Sequence, residues 1–167
     1  MLENKVNKEN AVELLKRKSQ ICKNAIAFMT FESFKEKYAT TMMWYQLIEN
    51  DLKYIYSFML EGSVEKNYGD IENNTLGTMV RMLERLDYSD GSPYISKADY
   101  KFLLNICDKR NYWAHQAFVD FAYIKNPFSS KEYRKVSDCL AKDCEEVERA
   151  CSILEKMRIE YCKNHER

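Results

Sequence analysis

Four glycines and two prolines in 167 residues leave this chain almost without the punctuation that hairpins and strand-rich folds require. Hydrophobic residues make up 46% and charged residues 31%, a mixture that suits long helices with one apolar face. The expected fold class is all-α, a helical bundle of about five helices. The length supports one core and is too short for two comfortable ones, so residues 1–167 are expected to form a single domain.

With 26 basic and 26 acidic side chains the formal charge is zero. No global field then draws the chain onto nucleic acid or an anionic membrane, and any RNA contact has to be local. No run approaches the roughly 18 apolar residues of a membrane span, and the stretch Met1 to Asn10 is polar rather than signal-like. A cytoplasmic protein without membrane contact is expected. The six cysteines (Cys22, Cys107, Cys139, Cys144, Cys151 and Cys162) include no C-x-x-C pair, and neither histidine stands at ligand spacing from a cysteine pair. They read as buried or half-buried thiols in a reducing compartment, with no metal site.

Apolar periodicity divides the chain. Val12, Leu15, Cys22 and Ile26 predict an amphipathic helix over residues 8–29. After a shorter aromatic stretch around Phe31 and Phe34, Trp44, Leu47, Ile48, Leu52, Ile55, Tyr56 and Met59 predict a long helix over about 41–61, with Gly62 as its stop. Residues 63–74 are polar and aperiodic and read as a loop. Asn74 or Thr75 can cap a short helix carrying Leu76, Met79, Val80, Leu83 and Leu86. Gly91 and Pro93 mark a break, and Ser96 with Asp99 starts a helix expected to run until just before Asn126-Pro127. Ser130 can cap a last helix through about Tyr161.

The chemistry-bearing residues gather on the penultimate long helix, in Arg110-Asn111-Tyr112-Trp113-Ala114-His115. Leu104, Cys107, Asn111, Ala114, Phe118 and Phe121 repeat at spacings of three and four, the period of a seam between packed helices. Asn111 then interrupts an apolar stripe. Arg110 lies about 100° to one side of it and His115 about 40° to the other, so both are expected at the edge of a helix-helix groove. Asn111 and His115, four apart, are surface neighbours. Tyr112 and Trp113 offer aromatic surface for stacking on RNA bases, although packing is the stronger reading of the pair. Glu49, beside the apolar face of the second helix, is a further polar candidate and otherwise a plain surface charge.

Arg110, Asn111 and His115 resemble the R-x4-6-H signature of the HEPN family, small all-helical domains many of which are RNA-cleaving toxins. The motif's place on a late helix, followed by one more long helix, also fits. The resemblance implies a metal-independent endoribonuclease without cofactor, in which His115 transfers protons, Arg110 holds the phosphate and Asn111 positions it or fixes the imidazole tautomer. An unperturbed imidazole titrates near ~6.5, close to operating pH, and a guanidinium is permanently charged and grips two oxygens at once. His165 is the third residue from the end of the sequence, so the resemblance further implies a homodimer whose composite site supplies the missing groups. A toxin or phage-defence role carries with it an antitoxin or defence-system partner. The alternative is a non-catalytic helical module that binds a protein, RNA or nucleotide through the same groove.

Overall fold

The structure is a computed structural model that describes residues 29–165. The helix expected over 8–29 therefore lies outside the described residues, apart from its last position. The chain is an all-α bundle built from α1 (Phe31–Met59), α2 (Val64–Ile71), α3 (Leu76–Asp87), α4 (Lys97–His115), the single turn α5 (Val119–Ala122) and α6 (Lys131–His165), with a 3-10 turn at Pro127–Ser129 before the last helix. No β-strand occurs among the described residues, and no described helix is long and apolar enough to cross a membrane.

Helix α1 is the organising element, packing against α6, α3, α2 and α4. It begins ten residues earlier than its apolar run predicts, because Thr30 accepts a hydrogen bond from Ser33 N at 3.2 Å and caps the first turn. Phe34, Tyr45, Ile48, Leu52 and Ile55 then form its buried face, so the aromatic stretch at Phe31 and Phe34 belongs to the same helix. The helix ends at Met59 rather than at Gly62, which takes a positive φ of 102° in the turn that follows.

Residues expected as a loop form α2. Its ends, rather than a broad apolar face, hold it: Ser63 caps Lys66 N, the Asn67 amide donates to the carbonyls of Ser57 and Glu61 at 3.2 Å each, and only Ile71 is buried. Lys53, buried on α1, donates to the Glu72 carbonyl at the C-terminus of α2 (2.7 Å) and to Glu49 (3.0 Å).

Three helix starts fall where the sequence places them. Thr75 Oγ1 accepts from Thr78 N, Ser96 Oγ from Asp99 N, and Ser130 Oγ from Tyr133 N. Between α3 and α4 the buried carboxylate of Asp87 takes hydrogen bonds from Tyr94 N (2.9 Å), Ile95 N (3.4 Å) and Tyr100 Oη (3.0 Å). One charged side chain thus closes the turn and sets α4 antiparallel to α3.

Helix α4 stops at His115, well short of Asn126-Pro127. Gln116 N and Ala117 N both bond to the Tyr112 carbonyl, and the chain turns back so that Ala117 and Phe121 enter the core. The cause is an aromatic cluster: Phe34, Phe121, Phe128 and Tyr133 stand within 5.4 to 6.2 Å of one another through successive ring pairs. Burying Phe121 there favours a break in α4 over three more exposed turns. Among the described residues the buried thiols are Cys107 and Cys144, with Cys151 half-buried; Cys139 and Cys162 are exposed on α6, which corrects the expectation for those two, and Cys22 lies outside the described residues.

Candidate functional site

The packing stripe of α4 is made by Tyr100, Leu103, Ile106, Cys107 and Trp113. It is rotated from the seam read in the sequence, since Asn111 and Ala114 are exposed. The reason is volume: the observed stripe buries Tyr, Leu, Ile and Trp side chains where the alternative offers Leu, Asn and Ala. Arg110, half-buried, therefore falls on the inward side of α4, and His115, exposed, is turned about 140° away from it around the helix axis. The expectation that both flank one stripe does not hold in a single chain.

Arg110 and Asn111 open into a cleft of about 290 Å³ between the N-terminal half of α3 and the C-terminal half of α4. Thr75, Gly77, Arg81 and Asp108 line it with them. Arg110 Nη1 donates to Asn111 Oδ1 at 3.3 Å, which couples the guanidinium to the carboxamide beside it. The floor includes Cys107, whose Sγ donates to the Leu103 carbonyl at 3.2 Å. Burial, and then the Asp108 carboxylate, push that thiol up to about 11 against the opposing pull of Arg81 and Arg110. A thiol held so high is protonated at neutral pH and is no nucleophile.

The helix end that carries His115 is pinned. The Trp113 indole N–H donates to Asp143 Oδ2 at 2.7 Å, Tyr38 Oη donates to the Trp113 carbonyl at 3.1 Å, and Lys109 Nζ pairs with Asp143 at 2.6 Å and Glu146 at 2.7 Å. Burial lowers the Lys109 pKa, but the hydrogen bonds to Asp143 and Glu146 outweigh it, and the net shift is upward. The Tyr45 hydroxyl is buried nearby without a hydrogen-bond partner among the described residues, and burial followed by Asp143 and Glu146 raises its pKa.

This arrangement reassigns two sequence candidates. Trp113 is 1% exposed with its indole N–H engaged, so its ring is core and offers no face to a base. Glu49 pairs with Lys53 at the α1–α2 junction and is not among the residues lining the cleft. Tyr112 is half-buried with its ring 5.2 Å edge-on from Trp113. Arg81 carries no local signal in the sequence: the periodicity of the helix 76–87 marks only its apolar face, and nothing nearby separates Arg81 from the neighbouring Arg85. Only the antiparallel pairing of α3 with α4 brings Arg81 to Arg110.

No protein-family model, curated protein or solved structure matches the chain.

Proposed function

We propose that the protein is a metal-independent endoribonuclease of the HEPN type, acting in the cytoplasm as a toxin or phage-defence component restrained by a partner protein. The observation that carries the reading is the disposition of the motif. Arg110 and Asn111 face an open polar cleft, and His115 is presented to solvent about 6 Å further along a firmly anchored helix. In the reaction a ribose 2′-hydroxyl loses its proton and its oxygen attacks the adjacent phosphorus. The bond to the 5′-oxygen breaks, that oxygen takes up a proton, and a 2′,3′-cyclic phosphate remains. His115 serves the proton transfers and Arg110 stabilises charge on the phosphate in flight, with Asn111 as positioning residue. Because Arg110 and His115 of one chain face different sides of α4, the complete site is a composite of two copies in a homodimer.

The same divergence favours a second reading, a non-catalytic module whose cleft holds an anionic ligand through Arg110 and Asn111 with His115 uninvolved. Purified protein and its His115→Ala variant, incubated with total RNA and a chelator, separate the two. Cyclic-phosphate ends produced by the parent alone support the nuclease; intact RNA with both proteins, in preparations shown to be free of a bound inhibitor, supports the binding module.

A further inference from the structure

We infer that the cleft between α3 and α4 is a phosphodiester-binding subsite in which Arg81 of α3 grips the RNA backbone together with Arg110 of α4. The inference deepens the RNA reading above and rests on it for the identity of the ligand. Two guanidiniums from different helices line one cleft, and among the described residues neither takes part in an ion pair. Asp108 lines the same cleft, yet no salt bridge joins it to either arginine. Among the described residues Arg81 makes a single polar contact, to the Gly77 carbonyl of its own helix at 3.3 Å. Its Nη1 lies 3.6 Å from where a β-carbon on Gly77 would stand, and the Cys107 β-carbon lies 4.0 Å from the same point, so the guanidinium folds back along the first turn of α3 to the cleft floor. Both arginines lie close enough to the Cys107 thiol in the cleft floor to oppose the upward push of the Asp108 carboxylate on it. The N-terminus of the 12-residue α3 opens into the same space and adds the positive end of its dipole.

At about 290 Å³ the cleft sits at the lower edge of the roughly 300–1,000 Å³ typical of small-ligand pockets. That size suits one charged group held at the surface rather than an engulfed molecule. Each guanidinium can address two oxygens in a fixed fork, and a phosphodiester presents two unesterified oxygens with a single negative charge. The chain as a whole is neutral, so a converging arginine pair supplies the local attraction that net charge does not.

The test uses a fluorescent 2′-O-methyl oligoribonucleotide, which keeps the phosphodiesters but lacks the attacking hydroxyl and survives incubation with the parent. Binding is measured across about 50 to 200 mM salt for the full chain, Arg81→Met, Arg110→Met and Arg85→Met, the last being an exposed arginine of α3 outside the cleft lining. Arg81→Met and Arg110→Met should each weaken binding about tenfold and lower the salt slope by about 0.7, the release expected for one phosphate contact on a single strand. Arg85→Met should change affinity less than about twofold. Equal effects of Arg81→Met and Arg85→Met, or no binding by the parent at the lowest salt, overturn the subsite. If the parent cleaves RNA through His115 while Arg81→Met binds normally, the subsite falls and the nuclease reading stands. If binding depends on Arg81 and Arg110 but RNA is never cut, the nuclease reading falls and the subsite stands.

Discussion

Replacing Asp143 by leucine probes the anchor that holds the motif-bearing end of α4. Asp143 is 7% exposed and receives two charge-assisted hydrogen bonds, from the Trp113 indole and from Lys109. Leucine keeps the branching and the number of side-chain heavy atoms, so no cavity is left and the cost comes mainly from lost polar partners. The indole N–H, buried with Trp113 at 1% exposure, is left unpaired, which costs about 1–3 kcal/mol. Lys109 keeps Glu146 at 2.7 Å and is 23% exposed, so its loss is screened to roughly 0–1 kcal/mol. The sum is about 1–4 kcal/mol, or roughly 3–15 °C in Tm for a chain of this length. Urea unfolding followed by tryptophan fluorescence or helical circular dichroism reads it directly. The decisive comparison is the same substitution in a Trp113→Phe background, where no indole donor exists to be orphaned and Asp143→Leu should cost less than about 1.5 kcal/mol. Equal costs in the two backgrounds would refute the assignment of the indole as the main term.

Two further outcomes follow from one buried and one half-buried carboxylate. Asp87→Ala removes the acceptor for two backbone amides and the Tyr100 hydroxyl. It should destabilise the chain by about 3–5 kcal/mol, with hydrogen exchange accelerated first in residues 88–100. Asp51→Asn should do the opposite. Burial raises the Asp51 pKa, with Arg158 pulling it down in part and Glu155 pushing it up. A carboxyl whose folded pKa is raised contributes stability below its unfolded value near ~3.9 and loses that contribution as pH rises through the folded value. At neutral pH the neutral amide should therefore stabilise by less than about 1 kcal/mol, a figure kept small because the group is partly solvated. The gain should vanish at pH 3, and an equal gain at both pH values would contradict the linkage.

The bundle was legible in the sequence because its signals are local. Sparse Gly and Pro, apolar spacing, and Thr75, Ser96 and Ser130 as caps each state a boundary within four residues. Helix α2 was not legible, since it is held by the Asn67 amide and Lys53 reaching across a turn to carbonyls, contacts that leave no periodic trace. The early end of α4 was hidden for a related reason. It is dictated by rings from α1 and α6 that receive Phe121, and Phe118 and Phe121 extend the helical period whether or not the helix continues. The candidate site divides the same way. Arg110, Asn111 and His115 stood out by spacing, whereas their directions depend on which of two overlapping stripes the rest of the bundle buries, and Arg81 depends on the antiparallel pairing of α3 with α4.

That rotation turns the composite site into a quantitative expectation. If one catalytic centre takes Arg110 from one copy and His115 from the other, Arg110→Met and His115→Ala are each inactive alone, since every site in either homodimer lacks one group. Mixed after subunit exchange, half of the dimers pair the two variants. Each such dimer holds one centre with both groups intact and one with neither, so the mixture should recover about a quarter of the parent's activity per chain. A site assembled within one chain predicts no recovery, because each chain carries a defect its partner does not repair. Both residues lie outside the buried core, so the variants should fold, and matched melting curves verify that before mixing. Zero recovery despite demonstrated exchange would mean that the long Arg110 side chain reaches round α4 to its own His115, and the two-copy centre would have to be abandoned.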